Sequence, residues 1–165
     1  MNQTPSTDAT LQVDVVSAHG LVWSGVAQRL SVPAIGGEIG ILPRHSPLLA
    51  PLQPGELRIH QGVDGESIDY LYVDSGFVEI QPDRVIVLAD TALRSQDLDE
   101  AAAQHARQQA ERALSAAVLY RDRDRARLLL QQAIAQLQTL QNARRQQQRR
   151  TVTKKRPDSS DRSGQ

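Results

Sequence analysis

The residues best equipped for chemistry in this 165-residue chain lie between Gly36 and Leu52, in GGEIGILPRHSPLLAPL, which gathers Glu38, Arg44, His45 and Ser46. Serine, histidine and an acid are the parts of an acyl-transfer triad. Here His45 and Ser46 are chain neighbours, and neighbours on one loop do not offer nucleophile-to-base geometry with a third group orienting the base. Gly36, Gly37 and Gly40 lack the G-x-x-x-x-G-K-(S or T) spacing and open no helix, so they do not cradle phosphate. His19, His45, His60 and His105 are scattered with no second ligand at metal spacing, and the absence of cysteine excludes thiolate, zinc-thiolate and disulfide chemistry. The sequence therefore nominates no catalytic residue, no metal ligand and no cofactor-binding residue. It nominates a grip. Pro43 and Pro47 fix φ on either side of Arg44, His45 and Ser46, and a stiff loop loses little conformational entropy when it docks on a partner.

A second charged group, Arg121, Arg123, Arg125 and Arg127 alternating with Asp122 and Asp124, reads either as a solvated, self-compensating loop or as a contact for an acidic surface. Net charge is zero, yet residues 1–100 carry five basic and fourteen acidic residues while residues 101–165 carry fourteen and five. That reversal predicts two modules with different partners. No apolar run approaches the length of a membrane-spanning helix, and MNQTPSTDAT lacks the basic and apolar regions of a signal peptide, so a cytoplasmic protein is expected.

The elements that position these groups follow from periodicity. Residues 1–10 read as a disordered lead-in. From Leu11 to about residue 92, short aliphatic runs broken by turn residues predict strands at Leu11–Ser17, Leu21–Trp23, Val26–Val32, Glu38–Ile41, Pro47–Leu52, Glu56–His60, Ser67–Val73, Gly76–Ile80 and Arg84–Ala89. Asp64-Gly65 is a hairpin signal, and Asp74-Ser75-Gly76 and Gln81-Pro82-Asp83 are further turns. Nine to ten short strands bury one side each most simply as a β-sandwich. With few aromatics, no platform for stacking bases is available, which argues against a single-stranded nucleic-acid fold.

At Asp97 the period changes, and Asp97-Leu98-Asp99-Glu100 predicts a capping box. A first helix to about Ala117 has a thin inward stripe of Leu98, Ala102, His105, Gln109, Ala113 and Leu114. A second carries Ala126, Leu130, Ala133, Leu137 and Leu140 as a heptad seam, so residues 93–142 predict an antiparallel helical hairpin. A seam this rich in alanine buries little apolar area, so docked and extended arrangements are expected within a few kcal/mol of each other. Residues 143–165, with seven basic residues among the thirteen from Arg144 to Arg156, read as a disordered basic tail. The fold class is α+β.

The segment Gly37-Glu38-Ile39-Gly40-Ile41-Leu42-Pro43-Arg44-His45-Ser46-Pro47-Leu48 resembles the G-E-(I or L)-G-(I or V)-(L or Y)-P-G-H-x-P-L pattern of the epsilon subunit of the bacterial F-type rotary ATP synthase. The likeness extends to Asp14-Val15-Val16-Ser17, to Ser75 through Pro82, to Val87-Leu88-Ala89-Asp90 and to Gln96-Asp97-Leu98-Asp99-Glu100, covering residues 11–142. It implies a non-catalytic rotor part on the cytoplasmic face of the bacterial inner membrane, bound to the gamma subunit of the central stalk. It also implies that Glu38, Arg44 and His45 touch the polar loops of the c-ring. Arg121, Arg123, Arg125 and Arg127 would meet the alpha/beta catalytic head when the hairpin extends and blocks ATP hydrolysis. Arg44 stands where the family has glycine, so a positive φ there would cost about 1 kcal/mol. Some members bind ATP through (I or L)-D-x-x-R-A. Here Ala102 replaces that arginine, and Gln132 and Gln136 stand at the matching positions of the second helix, so ATP binding is expected to be weak or absent. The alternatives are a free-standing anion- or nucleic-acid-binding module using the basic C-terminal half, and a small enzyme.

Overall fold

The computed structural model describes residues 10–62 and 67–154. Eight strands come first among them: β1 (Leu11–Ser17), β2 (Gly20–Ala27), β3 (Arg29–Ala34), β4 (Gly37–Ile41), β5 (Leu48–Pro51), β6 (Gly55–Gln61), β7 (Ser67–Ile80) and β8 (Arg84–Arg94). A 3₁₀ turn, Ser95–Asp97, leads to helices α1 (Glu100–Ala116) and α2 (Tyr120–Lys154). The strands hydrogen-bond in the order β2-β1-β8-β7-β6-β3-β4, with β5 also on β7; β1 and β8 run parallel and the other pairs antiparallel. The first half of β7 pairs with β6 and the second with β5, while β8 accompanies both halves. Two strands thus run through both layers, and the ladder folds over on itself into the expected sandwich.

Alternation builds the core. Val13, Val15, Val78, Ile80, Val85 and Val87 of one layer meet Leu30, Val32, Leu57, Ile59, Leu71 and Val73 of the other, and all are buried. Trp23 closes one end, donating from Nε1 to Asp69 Oδ2 at 2.8 Å, an oxygen that also accepts from Gln61 Nε2 at 2.6 Å.

Three strand expectations change. The predicted Val26–Val32 run is cut at Gln28, because β2 serves β1 while β3 serves β4 and β6. The predicted turn at Asp74-Ser75-Gly76 is a bend inside one long strand, with Ser75 at φ 51° and Gly76 at φ 104° where β7 changes partner. Gly76 is required there, since a Cβ would stand 2.0 Å from the Leu88 carbonyl oxygen. β8 continues to Arg94 because its far half still pairs with residues 71–74 of β7. The Asp64-Gly65 turn lies outside the described residues.

The hairpin is present, with its seam as expected: Ala126, Ala133, Leu137 and Leu140 are buried and Leu130 half-buried. The cap is Asp99, not Asp97, its Oδ1 accepting from Ala102 N at 3.0 Å, because residues 95–97 are spent in the 3₁₀ turn. The stripe of α1 is Ala103, Ala110 and the half-buried Leu114, whereas Ala102, His105, Gln109 and Ala113 are exposed. Faces made of alanine and glutamine differ too little in polarity to set their own phase, so α2 sets it. The expectation of a tail from residue 143 is corrected as well, for α2 remains helical through Lys154. Gln and Arg are good helix formers, and the loss of an apolar period does not end a helix. Ala143 is buried, and Arg144 Nη2 pairs with Glu100 Oε2 at 2.6 Å, pinning the end of α2 to the start of α1. Residues 155–165, Pro157 included, lie outside the described residues.

Candidate functional site

Leu42-Pro43-Arg44-His45 is a reverse turn closed by His45 N donating to Leu42 O at 3.1 Å, with proline second and Arg44 third at φ 68°. That is a type II arrangement, which needs a positive φ at its third residue. Arg44 therefore carries the strain that a glycine would not. The turn is fastened to the β7–β8 connection by Arg44 N donating to Pro82 O at 2.7 Å, and His45 Nδ1 lies 2.7 Å from Ser46 O. Arg44 and His45 share this turn; Glu38 does not. It lies on β4, paired with the Arg58 guanidinium of β6. The arrangement holds no nucleophile and base in line, and among the described residues no cluster of metal-ligating side chains forms.

Outside the layer holding β1 and β8 runs an apolar row that alternation alone does not require. In register across five strands stand Leu21, Val16, Leu88, Phe77 and Pro51. Leu21 is 65%, Phe77 53% and Leu88 51% exposed, with Leu49 at 67% beside them. An apolar band of this kind on an otherwise polar protein marks an interaction surface.

The other layer is covered by α2. Tyr72 is 2% exposed, yet it points away from the sandwich core and is buried beneath the helix. Gln136 hydrogen-bonds its hydroxyl, and burial pushes the phenol up to about 12. Around it the contacts are polar. Gln132 Nε2 donates to Asp74 Oδ2 at 2.8 Å, Gln131 Nε2 to Pro54 O at 3.3 Å, Asn142 Nδ2 to both oxygens of Glu56 at 3.2 and 3.0 Å, and Arg150 to Ser67. Burial raises the Glu56 carboxyl above its usual range, opposed by the Asn142 bond and the nearby Arg58 charge. The hairpin is thus docked through one aromatic ring and a set of side-chain hydrogen bonds. Gln132 and Gln136, read from sequence as vacant phosphate positions, are engaged with β7 instead. Arg144 of α2 reaches the start of α1, at Glu100.

Among the described residues, no hydrogen bond or ion pair joins the hairpin to the sandwich past Leu130, towards the tip. Val118 and Tyr120 are 89% and 87% exposed. Of the tip arginines, Arg123 Nε donates to Ala117 O at 3.2 Å and closes the end of α1, and Arg127 lies 3.8 Å from Asp124; Arg121 and Arg125 are exposed. Sequence reasoning overlooked Glu56, Arg58, Tyr72, Asp74 and Asn142. The signal was present in β7, where Tyr70 and Tyr72 occupy the face opposite Leu71 and Val73, so that both faces are apolar and both need cover.

Residues 10–95 match the family described as ATP synthase, Delta/Epsilon chain, beta-sandwich domain. The ATP synthase epsilon chain of Alkalilimnicola ehrlichii is 50% identical over 141 residues, spanning 86% of this chain and 99% of that one. That of Nitrosococcus oceani is 48% identical over 136 residues, spanning 82% and 96%. Among solved structures, a chain of the Euglena gracilis mitochondrial ATP synthase OSCP/F1/c-ring assembly superposes with a TM-score of 0.68 over 86% of this chain and 84% of its own. Its identity is 17%, so the likeness is one of fold. A chain of the Tetrahymena thermophila mitochondrial ATP synthase central stalk and c-ring gives 0.51 at 11% identity, over 79% and 96%.

Proposed function

This chain belongs to the ATP synthase delta/epsilon family, and from that premise we propose how its two faces and its hairpin divide the work of a rotor subunit. It is an epsilon chain, a non-catalytic part of ATP synthase, and the alternative of a free-standing anion- or nucleic-acid-binding module is not supported. In our reading the gamma subunit seats on the apolar row Leu21, Val16, Leu88, Phe77 and Pro51. That row is the observation carrying the proposal, because it is the broad apolar surface the docked hairpin leaves uncovered. The stiff turn at Arg44 and His45, with Glu38 behind it, meets the polar loops of the c-ring. Torque then passes through a sandwich whose layers share β7 and β8 and resist sliding. When the hairpin leaves β7, Arg121, Arg123, Arg125 and Arg127 are free to meet acidic surface on the alpha/beta head and brake hydrolysis. The complex works at the cytoplasmic face of the bacterial inner membrane.

Copurification tests this reading. A tagged chain brings down gamma with alpha and beta, and Phe77→Asp with Leu88→Asp abolishes that association while the sandwich still melts cooperatively. Truncation after Asp97 preserves association and raises ATPase activity. Retention of gamma by the double aspartate variant would overturn the assignment of the face.

A further inference from the structure

We propose that Arg58 is a shared counter-ion through which Glu38, on the strand leading into the proposed c-ring turn, controls how firmly Glu56 holds the docked hairpin. The proposal rests on the reading above, that the hairpin leaves the sandwich. In the ladder β4-β3-β6, Ser31 pairs with Gly40 on one side and Arg58 on the other. Gly40 offers no side chain opposite Arg58, so the guanidinium reaches diagonally to Glu38, two residues away. Its Nη2 is engaged by Glu38 Oε1. Its Nε is buried without a hydrogen-bond partner, although Glu56 Oε1 stands only 3.8 Å away. Glu56 meanwhile holds α2 through both its oxygens, each accepting from Asn142. Two carboxylates therefore flank one guanidinium. The exposed one has it, and the one that fastens the hairpin falls just short of it.

This asymmetry gives the coupling its sign. A cationic partner group that draws off Glu38 frees Arg58 to close on Glu56, converting a long contact into a charge-assisted hydrogen bond and compensating a buried charge. The hairpin is then held more tightly. With Glu38 unoccupied, Arg58 leans away and Glu56 holds α2 through Asn142 alone. Burial lifts the Glu56 carboxyl and the charge of Glu38 adds to that lift, while Arg58 opposes it, in keeping with a cation pulled part-way off. Tyr70 of β7 also faces Glu56, and Arg149 and Arg150 of α2 lie near Tyr70. Seating the turn and stowing the hairpin become linked events, each favouring the other.

The test uses the full chain, whose lack of native cysteine allows distance labels at cysteines placed at the exposed positions Gln12 and Gln138. The open fraction is read from the label distance. Glu38→Gln and Glu38→Ala are each expected to lower the opening constant about fivefold, and Asn142→Ala to raise it about tenfold. In a Glu56→Gln background the Glu38 substitutions should lose their effect. Glu38 variants that leave opening unchanged, or that act equally with Gln at position 56, overturn the coupling. Ala143→Arg separates this from failure of the underlying reading, because Ala143 of α2 is buried and lines one cleft with Trp23 and Ile68 of the sandwich, so that a long cation there disfavours docking of the helix. Opening by Ala143→Arg without a Glu38 effect removes the shared counter-ion and keeps the swinging hairpin. A label distance that Ala143→Arg does not change removes both.

Discussion

Removing the ring of Tyr72 tests the docked hairpin most directly. The side chain is 2% exposed under α2, and an aromatic of this size buries about 150–250 Å². Roughly half of that faces the helix, which at about 25 cal/mol per Å² makes the contact worth about 2–3 kcal/mol of docking. Tyr72→Ala should then favour the undocked state by about 30-fold to 150-fold, and Tyr72→Phe, which removes only the hydroxyl bonded to Gln136, by about fivefold. The same burial has a spectroscopic signature. Phe at positions 70 and 120 leaves Tyr72 as the lone tyrosine, and its ionisation can be followed by tyrosinate absorbance. A phenol lifted from an ordinary 10 to about 12 stabilises the docked state fully below pH 10, and that contribution is lost as pH rises through 12. The full chain should titrate near 12, and a chain truncated after Asp97 should fall towards 10. Titration near 10 in the full chain would refute the docked geometry and the energies drawn from it.

Gly76→Ala should cost the sandwich more than about 3 kcal/mol in chemical denaturation, because the added Cβ meets backbone of β8 that has no room to retreat, at a φ that disfavours any side chain. Arg44→Gly should stabilise by about 0.5–1 kcal/mol in the same assay: a left-handed arginine costs about 1–2 kcal/mol, and glycine returns part of that as unfolded-state entropy. A loss of stability would mean that the arginine side chain braces the turn. Docking of the hairpin, followed by label distance, should weaken as pH rises from 4.5 through the raised Glu56 value, since the docked state favours the protonated carboxyl. Glu56→Gln should flatten that profile.

Much of the architecture was legible in the order of residues. Valine alternation in Leu11–Ser17 and Arg84–Ala89 defines strands with one buried face, and the period of 3.5 from Ala126 to Leu140 defines a helix seam; both stand in the structure as read. The reach of β7 was not legible, because Ser75-Gly76 reads as a turn in either case, and whether the chain reverses or merely bends depends on β8 lying alongside. Nor was the phase of α1, or the helical course of α2 past Asn142, since alanine, glutamine and arginine tolerate several packings and only contact with α2 and the sheet selects one.

The candidate site divides in the same way. The turn at Arg44 and His45, its prolines and the basic tip are local features, written in consecutive residues and governed by short-range sterics and charge, so sequence alone determined them. The apolar row and the latch draw on residues tens of positions apart: Leu21 beside Val16 beside Leu88, Glu56 beneath Asn142, one guanidinium between Glu38 and Glu56. No local rule links such residues. Strand register and the seating of α2 bring them together, and those are set by the burial of the whole core, a property of the folded chain rather than of any segment of it.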